Sequence, residues 1–118
     1  MRWSSAIDID RSLSAAVERA AESVFLGLGR KEPDLLIAFV STEHAARFDA
    51  LPELIRREFD STLLFGCCAR GVIGAGREVE DQSSVSLTGA ILPGVKLKAT
   101  HFDAAQIPPS YAAPRGGE

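Results

Sequence analysis

LLIAFVS, Leu35–Ser41, is seven residues long, apolar to its last position and shows no alternation of polar and apolar side chains. A strand covered on both faces reads this way, as in a sheet flanked by helices. Pro33 precedes it as a breaker and Thr42 follows as a helix cap. Beyond Thr42, the residues Ala45, Ala46, Phe48, Leu51, Leu54, Ile55 and Phe59 recur at helical spacing as a buried stripe. Pro52 interrupts that stripe and predicts a kink, or two short helices meeting near Leu51. A second apolar run, Ser61–Cys68, predicts another buried strand. Strand, helix, strand in this order makes a βαβ unit with parallel strands and a right-handed crossover.

On the N-terminal side, Trp3 to Ile7 predicts a short first strand. Asp10 is a candidate N-cap, because its carboxylate can accept from the free amides of the next turn. Leu13, Ala16, Val17, Ala20, Val24 and Leu28 define an amphipathic helix, with Gly27 and Gly29 as candidate stops. On the C-terminal side, Ser83–Leu92 alternates, with Val85, Leu87, Gly89 and Ile91 on one face and Ser84, Ser86, Thr88 and Ala90 on the other. Pro93-Gly94 signals a turn and Val95–Phe102 alternates again, which predicts a β-hairpin from these two runs. The expected fold class is therefore α/β: a βαβ unit followed by a β-hairpin, in a mixed sheet with helices packed on it. Residues 1–103 form the domain, and 104–118, rich in proline, glycine and alanine, read as a linker.

Composition narrows the function. The chain has 118 residues, enough for one domain, and a formal net charge of -3. An acidic balance argues against nucleic acid or an anionic membrane as partner, since both require a basic face. No run is long and apolar enough to span a bilayer, and MRWSSAIDID lacks the apolar core of a signal peptide, so a cytoplasmic location is expected. The two cysteines, Cys67 and Cys68, are adjacent and free in a reducing compartment. Neighbouring strand residues point to opposite faces, so the pair cannot jointly chelate an ion; His44 and His101 lack ligand spacing. No metal or cofactor is expected.

The chemistry concentrates in LLFGCCARGVIGAG, residues 63–76. Its GxxGxG spacing differs from the dinucleotide fingerprint, no helix signal follows, and no lysine precedes a Ser or Thr, so a phosphate cradle is rejected. A cysteine nucleophile needs a base. His44 supplies a candidate, because the loops after two parallel neighbouring strands share one sheet edge. A binding turn asks for less. Gly71, Gly74 and Gly76 let backbone approach a ligand, Arg70 can pair with a carboxylate, and Cys68 and His44 stand at the same edge.

The order of these features resembles the N-terminal half of a FIST domain, a sensory domain of bacterial signal-transduction proteins that also occurs in some eukaryotic F-box proteins. Trp3-Ser4-Ser5-Ala6 resembles the family's opening strand, and Pro33–Ser41 with Glu43-His44-Ala45 its first long strand. Gly66–Gly74 resembles its Gly-Cys-Ser/Thr-x-x-Gly-like turn, with Cys68 where the family often has Ser or Thr. Gly76–Glu80, Val85–Leu87 and Leu92–Val95 resemble the segments that follow. The resemblance implies a non-catalytic sensor of a small, amino-acid-like ligand. It also implies that the chain stops before the family's domain would end, leaving an incomplete FIST-type domain that lacks its C-terminal portion or a partner domain. An uncovered sheet edge or apolar face then predicts a homo-oligomer. A protein-interaction scaffold and a thiol enzyme using Cys68 stay open as alternatives.

Overall fold

The computed structural model describes residues 1–60, 62–80 and 82–100. Four strands form a mixed sheet in the order β1–β6–β2–β3: β1 is Arg2–Ile9, β2 Leu35–Ser41, β3 Leu63–Ala69 and β6 Ser84–Ile91. β2 and β3 are parallel neighbours, paired from Leu35 with Leu63 to Ser41 with Ala69. β6 runs antiparallel to both β1 and β2. A separate two-stranded hairpin is built from β4, Gly71–Gly74, and β5, Arg77–Glu80. The α/β class and the parallel βαβ unit are present, and a hairpin follows the unit, at residues 71–80 rather than at the expected 83–102.

Helix α1, Leu13–Gly27, buries Leu13, Ala16, Val17, Ala20, Ala21 and Val24 against one face of the sheet. Its N-cap is Ser12, whose hydroxyl accepts the Ala15 N–H at 3.2 Å. Asp10 was the expected cap. It sits two residues earlier and accepts the Ser12 N–H instead, at 2.7 Å. Gly29, with φ +72°, follows the C-cap Leu28. The sheet face below carries Leu36, Ala38, Val40, Val85 and Leu87, all fully buried. Gly89 lets the helix come close, since a Cβ there would stand 2.7 Å from Val24 and 3.3 Å from Leu28.

Pro52 acts as expected. A 3₁₀ helix, Thr42–Ala50, hands over at Leu51 to helix α2, Leu51–Glu58, with the proline in α2's first turn, where its missing N–H costs nothing. The register of the 3₁₀ segment differs from the α-helical expectation. Ala45 and Ala46 are exposed and His44 is buried, because three residues per turn carry a different set inward. Thr42 does not cap this segment: Ser41 precedes it with no side-chain cap bond, its hydroxyl accepting the Ser84 N–H at 2.9 Å.

Three further expectations are corrected. β2 is not covered on both faces: Leu36, Ala38 and Val40 are buried, while Leu35 and Ile37 are only partly covered and Phe39 is exposed. β3 is an edge strand rather than a buried one, with Phe65, Gly66 and Cys67 exposed. A continuous apolar run specifies a strand but not the number of its covered faces. The hairpin is also not formed by 83–102. A strand has two edges, and both edges of β6 are taken by β1 and β2. The Pro93-Gly94 turn is present, with Gly94 at φ +73°, but residues 95–100 form no regular element. Residues 101 and 102 of the expected strand, and the 104–118 linker, lie outside the described residues.

Candidate functional site

The parallel pairing of β2 with β3 brings Ser41 and Ala69 level, so the loops carrying His44 and Arg70 leave the sheet at one edge, as expected for a strand-end site. Arg70 stands exposed at the bend between β3 and β4. Cys68 pairs with Val40 and shares its helix-covered face, whereas Cys67 pairs with Phe39 on the other. Cys68 is partly covered and Cys67 exposed. Burial, and then Cys67, push the Cys68 thiol up from its ordinary value. Such a thiol holds little thiolate at neutral pH, the reverse of an activated nucleophile.

His44 is 2% exposed and its Nε2 has no hydrogen-bond partner among the described residues. The group it acts on is Asp10. That carboxyl is held below the usual range by its hydrogen bond to Arg19 first, then by the Ser12 amide, with His44 the smallest contribution. Arg19 also binds Asp8, at 2.9 Å through Nη2. The causes that raise the Cys68 thiol are burial and then Cys67.

The three glycines separate into different roles. Gly71 is extended and pairs with Glu80 in the hairpin. Gly74 closes β4 against the main sheet: a Cβ there would meet the Ser86 hydroxyl at 2.7 Å and the Ala6 carbonyl at 3.1 Å. Gly76, at φ +76° beside Ala75 at φ +51°, forms the two-residue turn of the β4–β5 hairpin with open space around it. Two positive φ values in a two-residue loop make the primed turn whose twist suits a hairpin. Cys68, Arg70 and Gly71 are near neighbours in sequence at the end of β3, and His44 follows the level end of β2. Gly74 and Gly76 carry the hairpin away from it.

The second face of the β6 alternation, with Ser84, Ser86 and Thr88, receives this hairpin together with Ser5 of β1. Ser86 donates to the Ile73 carbonyl, and Ser5 accepts both the Ala75 N–H at 3.1 Å and a contact from Thr88 at 3.2 Å. Ser84 and Ser86 are 0% and 1% exposed. The Ser-x-Ser-x-Thr alternation in β6 was the available signal: its small hydroxyls satisfy the backbone of a docked hairpin, as buried polar groups require.

Two cavities lie nearby. One of about 310 Å³ opens on the helix side between Phe48, Leu51, Pro52, Leu64 and Gly66. The other, about 370 Å³, lies between Leu35, Ile37, Leu63 and Phe65 and the segment Leu97–Thr100. Neither is lined by Arg70, Cys68 or His44. Among the described residues no group of three or more His, Cys, Asp or Glu is placed to hold a metal ion.

With this geometry in place, comparison with known families is decisive. The sequence profile of the FIST N domain matches residues 34–114, more than half of the chain. The chain belongs to the FIST N domain family. The FIST match begins at the residue before β2 and contains β2 to β6, so β1 and α1 lie outside it. FIST N domains are in general sensory domains of signalling proteins. No curated protein and no solved structure gives a significant match to this FIST chain. Among the described residues no helix is long and apolar enough to cross a membrane.

Proposed function

We propose that this FIST N domain senses a small ligand without transforming it, and that the ligand carries a carboxylate, as an amino-acid-like molecule does. The observation that carries the reading is Arg70, an exposed guanidinium at the C-terminal edge of two parallel strands inside the family match. A guanidinium presents a planar fork of donors that matches a carboxylate. The extended backbone of Gly71 and the edge of the Cys68 strand stand beside it. The raised Cys68 thiol favours binding over catalysis. Signalling then follows if ligand affinity differs between two arrangements of the domain and its neighbours, such as the remainder of a FIST protein. A scaffold role would need the same surface but no ligand.

A thermal-shift screen of the chain across an amino-acid and small-carboxylate library tests the proposal. A ligand that binds only the folded state stabilises it by RT ln(1 + L/Kd), where L is the free ligand concentration, so the midpoint keeps climbing with the logarithm of concentration above Kd. A concentration-dependent upward shift with a carboxylate, absent with the matching amide, is the expected result. A flat response across the library at millimolar ligand removes the sensor reading.

A further inference from the structure

We infer that the outer edge of β3, unpaired among the described residues, is a self-association surface, on which a second copy of this chain adds its own β3 antiparallel across a twofold axis. The inference does not rest on the proposed ligand, although both involve Arg70, and begins with what protects the two edges of the sheet. Native edge strands are blunted by charged side chains, proline, bulges or brevity. β1, at one edge, carries Arg2 and Asp8, and Asp8 is held in an ion pair with Arg19. β3, at the other, reads LLFGCCA: seven residues, no charge and no proline. Its outer edge pairs with no strand among the described residues. Phe65 stands 67% exposed beside it, and Cys67 and Phe39 are exposed on the same face.

Charge and register select the occupant. Exposed Asp60 precedes β3 and exposed Arg70 follows it, so the strand is acidic at its start and basic at its end. An antiparallel pair of identical strands sets each acidic end beside a basic one, whereas a parallel pair sets like beside like. The register that pairs all seven residues is centred on Gly66. It places Arg70 opposite Thr62 of the second copy, with Asp60 two residues further along. Each Phe65 then faces Cys67 of the other copy, a sulfur–aromatic contact made twice. The two Cys67 side chains become diagonal neighbours about 7–8 Å apart. Because the same surface serves both copies, the contact closes at two. One strand pair is a small interface, so association belongs in the micromolar range rather than the nanomolar.

Light scattering on the 118-residue chain, from low to high micromolar, tests this together with cross-linking. The mass is expected to rise from 12.6 kDa toward roughly twice that value. Phe65→Lys, a change at an exposed position, is expected to hold the chain at one copy with an unchanged circular-dichroism melt. In Cys68→Ser, where Cys67 is the remaining thiol, a short bis-maleimide is expected to give a two-copy band that Phe65→Lys abolishes. A single-copy mass throughout, a mass that climbs past two, or a dimer that Phe65→Lys leaves intact each overturns the inference.

Discussion

At the scale of single residues, two neighbouring cysteines have different surroundings because they point to opposite faces of β3. Cys67 looks outward, and Cys68 lies on the helix side with its thiol pushed up by burial. A maleimide applied to the native chain at pH 7 is expected to modify Cys67 well before Cys68, with mass mapping of the peptides as the readout. Equal rates would contradict the placement of β3. The glycines differ in the same local way. Gly74→Ala forces a methyl against the Ser86 hydroxyl and the Ala6 carbonyl, an overpacking expected to cost about 1–3 kcal/mol in urea unfolding. Gly76→Ala meets no atom and is expected to cost only the left-handed backbone penalty, about 1–2 kcal/mol. Gly71, being extended, carries no such penalty. That Cys67 and Cys68 would diverge was legible from the two-residue period of a strand. Which of them would be covered was not, since it depends on helices folded from another part of the chain.

Elements show why some alternations mislead. Helix α1 was legible because its apolar spacing has one interpretation, and only its cap moved, from Asp10 to Ser12. β6 was legible as a strand with two faces, but the alternation does not say that a hairpin covers the hydroxyl face. Ser86→Ala leaves the Ile73 carbonyl without its donor and is expected to destabilise by about 1–3 kcal/mol. The groove between α1 and α2 holds Glu18, Glu22 and Glu58 beside Phe25 and Phe59. Burial first, then Glu18 and Glu22, raise the Glu58 carboxyl above its ordinary value. A carboxyl raised on folding binds its proton more tightly in the folded state. Its ionisation therefore weakens the fold at neutral pH, and that cost shrinks as pH falls through the raised value and is gone below the ordinary one. Glu58→Gln is expected to increase the urea midpoint at pH 7, with the gain disappearing below the ordinary glutamate range. A gain that grows on acidification would contradict the assigned burial.

At the scale of the whole molecule, the described residues form a four-stranded sheet with helices on one face and a small hairpin docked by hydroxyls on the other. FIST N domains are in general sensory, and the proposed ligand chemistry rests on one exposed arginine where two parallel strands end. The strand-end placement of Arg70 and His44 was legible once the βαβ unit was read, because parallel neighbours must end together. The burial of His44 was not, since it arises from a 3₁₀ turn in place of an α-helical one. The account stands most directly on calorimetry of wild type and Arg70→Ala with the carboxylate that gives the largest thermal shift. Arg70 is exposed, so its removal is expected to change stability by no more than ~0.5 kcal/mol. Loss of a charged hydrogen bond predicts binding weaker by about 1.5–3 kcal/mol. Unchanged affinity in a folded Arg70→Ala variant would contradict the assignment and remove Arg70 from the site.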